Sequence, residues 1–344
     1  MIYLKKYNKK ERKRAKMSIE KVCRIIKDNK VFLISAHREP EGDSLGSQLA
    51  MAEVLKQIGK KYFIVNPDLP PGRYNFLKGI KQIVQPGAKT YNFDVALVLD
   101  CPVIERIGKV ADIIGNKPIV NIDHHISNKN FGAINYVQPA ASSTGEIIYD
   151  LSNKFGCKIN KELATYLYLA ILTDTGGFIY SNTTSRTMSV AAHLLKCGVN
   201  PKQIYEKIYE SHSLASRKLL GLCLNTLEVS GDGKIAWMYI TKAMFKKAKA
   251  IAHDAENFVN YARFVDGVKI AVLFSEGPKQ GFIKVSFRSN ETWADVNKIA
   301  SKFGGGGHRS ASGCVVEGSI DSAKKKILAE IRKNIKQYER HFNS

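Results

Sequence analysis

Short apolar runs punctuate the first two-thirds of the chain, with a helical rhythm of apolar positions between them. Residues 31–35 (VFLIS), 62–65 (YFIV), 95–99 (VALVL) and 119–122 (IVNI) are apolar almost throughout. Such runs suit strands of a parallel sheet covered on both faces. Between the first two, Leu45, Leu49, Ala52, Leu55 and Ile58 recur at helical spacing, and Gly59 closes that helix. Strands alternating with helices predict an α/β, doubly wound, mostly parallel sheet. Further helices are expected at 162–172, 185–196, 201–210 and 213–227, with a Gly-Gly turn at Gly176 and Gly177. The pattern then shifts to strands at 234–239, 268–274 and 282–287 and helices at 293–302 and 321–338, a smaller α+β unit. The expected division is a basic extension at 1–19, a first domain at 20–210, a linker helix at 211–226 and a second domain at 227–344.

A length of 344 residues suits two domains. With 44% hydrophobic and 24% charged residues, disordered and collagen-like classes are excluded. No apolar run has the length of a membrane span, and the basic start of the chain lacks the apolar centre of a secretory leader. Six scattered cysteines without a C-x-x-C pair suit reduced thiols in a cytoplasmic protein. The net charge of +22 draws polyanions, although lysines lie along the whole chain and only residues 5–16 form a dense run, expected as a frayed or helical basic tail.

The chemistry gathers where strands end. Open α/β sheets take their ligands at the carboxyl ends of strands, near the switch in strand order. The first run leads into His37, Glu41 and Asp43 within a Pro- and Gly-bearing turn, and the third into Asp100. The fourth leads into Asp123-His124-His125, and the helix at 162–172 into Asp174. An isolated Asp after a strand is commonly a turn former or helix cap. Four elements delivering such groups to one sheet edge point instead to a metal site. Imidazole with carboxylate suits zinc, manganese or iron, whereas calcium prefers oxygen alone. His37, Glu41, Asp43, Asp100, His124 and Asp174 exceed what one catalytic metal needs. Two cations about 4 Å apart would clamp a phosphate for in-line attack and acidify water. In the second domain, Gly304, Gly305, Gly306 and Gly307 lead into His308 and Arg309, and a strand ends at Arg288-Ser289. Backbone amides of a glycine run beside arginines suit phosphate recognition.

These residues resemble the DHH phosphoesterases. Asp123-His124-His125 matches the signature that names the family. His37-x-x-Pro40-x-Gly42-Asp43, Asp100 with Arg106-x-Gly108, and Thr173-Asp174-Thr175-Gly176 match its other amino-terminal motifs, and Gly305-Gly306-Gly307-His308 matches the DHH-associated domain. The motifs occur in order between about residue 20 and residue 320. The resemblance is strongest to the nanoRNase/pAp-phosphatase branch. It implies an active site in the cleft between the two domains, hydrolysing short oligoribonucleotides to mononucleotides and pAp to AMP with two divalent metal ions, manganese first, then magnesium, cobalt or zinc. By the same resemblance, His37 and Glu41 hold one metal, Asp43, His124 and Asp174 the other, and Asp100 bridges. His125, with Asp123, supports the site or approaches the phosphate. Arg288, Ser289, the run 304–308, Arg309 and Asn260 grip the substrate. The family often dimerises through its larger domain, so a homodimer is expected, with no membrane partner. Position 41 departs from the usual Asp: Glu41 keeps the carboxylate on a stem one methylene longer.

Alternatives remain within and beyond this class. A pApA or cyclic di-AMP phosphodiesterase would use the same metals. A RecJ-type exonuclease would need a further single-strand-binding fold, and a manganese pyrophosphatase would lack Gly-Gly-Gly-His. A catalytically weak nucleotide- or RNA-binding protein would be expected to have lost carboxylates, yet all six positions keep a coordinating group.

Overall fold

The four apolar runs lie in one sheet, and those at 31–35, 95–99 and 119–122 are buried almost throughout. The computed structural model describes residues 9–277, 279–291, 293–307 and 309–342. The chain divides into two units, up to Ser211 and from His212. In the first unit the strands are β1 (Val31–Ser35), β2 (Lys61–Val65), β3 (Ile83–Val84), β4 (Val95–Leu99), β5 (Ile119–Asp123) and β6 (Ile134–Val137). All their pairings are parallel, in the order β3-β2-β1-β4-β5-β6. Helices are α1 (Lys9–Asp28), α2 (Gly42–Gln57), α3 (Val110–Ile114), α4 (Thr144–Lys154), α5 (Lys161–Asp174), α6 (Ser185–Lys196) and α7 (Pro201–Tyr205). A π-helical turn, Glu206–Glu210, continues α7.

Alternation along the strands explains the double winding. Phe32, Ile34, Leu97 and Leu99 enter one core with residues of α1, α2, α4 and α5. Leu33, Ala96 and Val98 enter another with Val110 and Ile114 of α3. The strand order reverses at β1 and β4, which pair directly, so their carboxyl ends flank the crevice where such sheets take ligands. Two close approaches tighten the helical layer on one side. A Cβ on Gly46 would stand 2.5 Å from Tyr166 O, and one on Gly145 would stand 2.4 Å from Ala170 Cβ. Glycine at both positions lets α2 and α4 lie directly on α5.

The second unit has its own sheet, in the order β11-β12-β10-β9-β8-β7. Its elements are α8 (Leu214–Leu224), β7 (Glu228–Val229), β8 (Ile235–Ile240), α9 (Lys242–Ala248), α10 (Val259–Arg263), β9 (Ile270–Glu276) and β10 (Phe282–Ser289). Then follow α11 (Val296–Ser301), β11 (Gly306–Gly307), β12 (Ala311–Glu317) and α12 (Ile320–Phe342). β8 and β9 pair in parallel and the other pairs are antiparallel. Within the segment expected to link the domains, α8 buries Leu219, Leu220 and Cys223 against Ala236, Met238 and Ile240 of β8. The basic amino-terminal run is helical from Lys9, and residues 1–8 lie outside the described residues. Among the described residues, no helix is long and apolar enough to cross a membrane.

Candidate metal centre

The centre is assembled from the ends of β1, β4, β5 and α5. Past β1, His37 Nδ1 lies 2.6 Å from Arg38 O, a carbonyl that can only accept, so Nδ1 carries the hydrogen. The other nitrogen, Nε2, lies 3.4 Å from Asp100 Oδ2; burial disfavours charge on the ring, but that carboxylate outweighs it and raises the His37 pKa. An Arg106 Nη2 stands 3.2 Å from the same Nδ1, but a nitrogen already donating cannot also accept, so that approach is electrostatic only.

Asp43 sits in the first turn of α2 and is buried. Ser47 Oγ donates to its Oδ1 at 2.9 Å, Gly145 N to the same oxygen at 2.9 Å, and Thr144 N to Oδ2 at 2.7 Å. The amino terminus of α4 therefore points its unpaired N–H groups at this carboxylate, a position that favours negative charge. The close seat of Gly145 on α5 makes that approach possible.

Asp100 follows β4 with φ of 52°, a left-handed backbone uncommon for any residue but glycine, Asn or Asp. The strain is held by Asp100 N donating to Ile122 O at 3.0 Å. It aims the carboxylate both ways: Oδ2 faces His37, while Oδ1 lies 3.7 Å from His124 Nε2 and 3.6 Å from His125 Nδ1. Asp123, the last residue of β5, has another task. Its Oδ1 accepts from His124 N at 2.8 Å, His125 N at 3.2 Å and His125 Nδ1 at 2.6 Å, and its Oδ2 from Asn128 Nδ2 at 2.6 Å. A carboxylate so saturated positions the two histidines and has no oxygen to spare.

His124 is the hub of the second cluster. Its Nε2 lies 3.4 Å from Asp174 Oδ2 and 3.8 Å from Asp43 Oδ2. Two groups of potential ligand atoms converge, Asp100 with His124 and His125, and Asp43 with His124 and Asp174. Separations of 3.4 to 3.8 Å are long for hydrogen bonds. Donor atoms about 2.1 Å from one shared cation stand about 3.0–3.4 Å apart, so the donor set fits divalent metal in kind. Its shorter separations fit in spacing, while the 3.7 and 3.8 Å ones would close by a few tenths of an ångström.

Electrostatics agree. Burial, then the Asp100 and Asp174 carboxylates, push Asp43 well above the ordinary range. Burial pushes Asp174 up to about 7 in spite of His124. Burial disfavours charge on His124 too, but Asp174, Asp43 and Asp100 outweigh it and raise it to about 9. Burial also works against ionised Asp100 and Asp123, yet the histidines prevail, holding Asp100 low and Asp123 at about 2. A knot of groups driven to opposite protonation states by each other marks a functional site.

Of the six expected ligands, His37, Asp43, Asp100, His124 and Asp174 come together. Glu41 does not join either converging group: it is the exposed cap of α2, its N–H donating to Ser44 Oγ at 3.0 Å. In the second unit, Arg288 pairs with Ala311, and Gly307 with Ser312, so the glycine run and Arg288 meet at one end of the sheet. A Cβ on Gly305 would lie 2.2 Å from Gly313 O, and one on Gly307 2.6 Å from Ala311 O. These glycines are thus fixed by contact with β12, and Gly306–Gly307 is a short strand. Arg288 Nη1 donates to Phe287 O at 2.9 Å, and Ser289 Oγ donates to Glu291 O at 3.1 Å. Arg309 is exposed, Asn260 lies on α10, and His308 falls outside the described residues. The sequence reading missed Ser47, Asn128, Thr144, Gly145 and Asn182, which support the ligands through neutral side chains or backbone. Only the Ser-Ser-Thr-Gly run at 142–145, with Ser143 capping α4, hinted at a helix start.

Comparison with known proteins gives the same assignment. Residues 31–171 match the DHH family, N-terminal domain, and residues 232–337 match the DHHA1 domain. The chain is 31% identical over 304 residues to the bifunctional oligoribonuclease and PAP phosphatase NrnA of Thermus thermophilus, covering 88% of this chain and 89% of that one. It is 30% identical to the protein of the same name from Bacillus subtilis, covering 90% and 96%. The crystal structure of an exopolyphosphatase-related protein from Bacteroides fragilis superposes with a TM-score of 0.86 at 26% identity, covering 96% of this chain and 98% of that one. From its converging candidate ligand side chains to its matched domains, the chain belongs to the DHH family of metal-dependent phosphoesterases, with a DHHA1 domain as its second unit.

Proposed function

We propose that the protein hydrolyses short oligoribonucleotides to mononucleotides and pAp to AMP, using two divalent cations, with manganese the first choice. The observation that carries this reading is Asp100, whose two oxygens face His37 on one side and His124 and His125 on the other. His37 then belongs to one cation, Asp43, His124 and Asp174 to the other, and Asp100 to both. Bound there, the cations supply acidified water and neutralise the phosphate oxygens. The mixture of imidazole and carboxylate favours manganese over calcium.

The chain's own residues hold this arrangement ready. The Arg38 carbonyl keeps the His37 tautomer that offers Nε2. The amino terminus of α4 aims its N–H groups at Asp43, opposing the burial and the neighbouring carboxylates that disfavour its charge. Asp123 turns His125 into place beside Asp100. In the reaction a water oxygen bonds to phosphorus, the ester P–O bond breaks and the leaving alkoxide takes a proton, so no bond to a protein side chain is required. Arg288 and Arg309 supply cations for a substrate phosphate, and the net charge of +22 raises the local concentration of such anions.

The test is a panel of pAp, pApA, cyclic di-AMP and RNA or DNA of 2 to about 24 nucleotides at fixed salt, with manganese or with chelator. Manganese-dependent release of AMP from pAp and of mononucleotides from the shortest RNAs is expected. Preference for pApA or cyclic di-AMP would reassign the substrate, and no metal-stimulated hydrolysis of any member would reject the enzyme reading.

A further inference from the structure

Asp174 differs from the other acidic ligands in how it is held. Asp43 and Asp100 are buried, whereas the Asp174 side chain keeps 26% of its exposure. It is the last residue of α5, where the helix dipole turns its negative end toward the carboxylate. Among the described residues, the amide that reaches this carboxylate is Asn182, with Nδ2 3.4 Å from Asp174 Oδ2. The same Nδ2 lies 3.0 Å from Asp174 O, a carbonyl left without a helical partner, and 2.9 Å from Ser142 O, just ahead of the α4 cap. Asn182 therefore ties the end of α5 to the start of α4. Those ends carry Asp174 and the N–H groups that hold Asp43, two of the three members of one converging group.

The amide can sit only one way round. Rotated by half a turn, its oxygen would face three acceptors. In the observed orientation Oδ1 is buried with no hydrogen-bond partner, so the network keeps the donor facing Asp174 and Ser142 at the expense of an unpaired oxygen.

We infer that Asn182 is a positioning residue for the metal centre, setting the Asp174 carboxylate and the α4 terminus in mutual register so that Asp43, His124 and Asp174 can share one cation. This rests on the two-metal reading above. Asn182→Asp places an oxygen against the same three acceptors, and Asn182→Ala removes the donor. Thr183→Val is the control, since the buried Thr183 hydroxyl next door also has no partner and touches no ligand. Manganese binding by calorimetry and the manganese-induced rise in Tm are read on the full chain, beside pAp hydrolysis.

Asn182→Ala is expected to weaken manganese binding by at least about tenfold, the usual scale for loss of a residue behind a ligand. Asn182→Asp should lose more, and both should show a smaller manganese-induced rise in Tm, while Thr183→Val keeps wild-type binding. Wild-type manganese affinity in Asn182→Ala would overturn the inference alone. An equal drop in Tm with and without manganese, or failure of both Asn182 variants to fold, would assign the residue to folding and equally overturn it. A wild-type protein that neither binds manganese nor hydrolyses the panel would instead remove the reading beneath.

Discussion

Replacing Asp123 by Asn changes one atom and breaks a network that has no alternative arrangement. If the new amide nitrogen takes the place of Oδ1, three donors from His124 and His125 lose their acceptor. If it takes the place of Oδ2, it meets the Asn128 amide nitrogen head on. Asn128 cannot turn to help, because its Nδ2 also donates to Asn121 Oδ1 at 2.7 Å and its Oδ1 accepts from Asn130 N at 2.7 Å. The milder outcome loses one charge-assisted hydrogen bond in the interior, about 1.5–3 kcal/mol. A second route gives the same scale: the Asp123 carboxyl lies at about 2 against an ordinary 3.8, on the order of 2 kcal/mol at neutral pH. The two figures measure one effect and do not add. Because the folded value is depressed, this stability is present above about pH 4 and disappears as pH falls through about 2. Urea unfolding of the full chain in chelator should thus show a constant deficit of about 2–3 kcal/mol between pH 5 and 8. Manganese-dependent hydrolysis of pAp should fall about 10- to 100-fold as His124 and His125 lose their alignment. A variant with the wild-type unfolding midpoint, or with activity within about twofold of wild type, would refute the positioning role of Asp123.

Three further outcomes are expected. Asp100→Ala should abolish nearly all turnover and lower bound manganese from two per chain, measured by equilibrium dialysis; retained activity would contradict the bridging role. Gly145→Ala drives a methyl to 2.4 Å from Ala170 Cβ, so it should cost about 1–3 kcal/mol and raise the manganese concentration needed for half activity, as α4 lifts its N–H groups off Asp43. Asp174 at about 7, His124 at about 9 and the raised Asp43 must all shed protons to ligate, so manganese affinity should rise by at least about tenfold per pH unit between 7 and 9 and more steeply below 7. The folded values of Asp174 and His124 are raised, so in chelator their contribution to stability is greatest at low pH and is lost as pH climbs through 7 and then 9, the reverse trend to metal binding; melting curves with and without manganese at pH 6 and 8.5 check both signs.

What could be read from the residues followed from how completely each element is buried. β1, β4 and β5 are hidden on both faces and so are apolar almost throughout, which exposed their ends and the acids and histidines there. β3 has two residues and β6 lies at the sheet edge with its burial only partial, so neither stood out. The candidate ligands were legible because charge at a strand tip is conspicuous. Their supports were not, since Thr144 and Gly145 act through backbone N–H groups, and Asn128 and Asn182 look like ordinary turn residues. Spacing also favoured Glu41 as a ligand; in the structure it is the exposed cap of α2, while its charge still acts on His37 and Asp174. In the second unit a glycine run read as an anion cradle is also what β12 requires for close pairing, two demands that sequence alone cannot separate.

The contact of Asp43 with Thr144 joins residues 101 positions apart, and those among the other candidate ligands span from 24 to 81 positions. Until the middle of the parallel sheet has closed, any one stretch offers a cation a couple of ligands at most, from 37–43 or from 124–125. On the proposed two-metal reading, tight metal capture is a property of the finished unit, and by mass action the free metal would pull nascent chains toward completion. An organism short of the metal would then lose folded protein as well as turnover, and refolding yield at limiting manganese would reveal that double dependence.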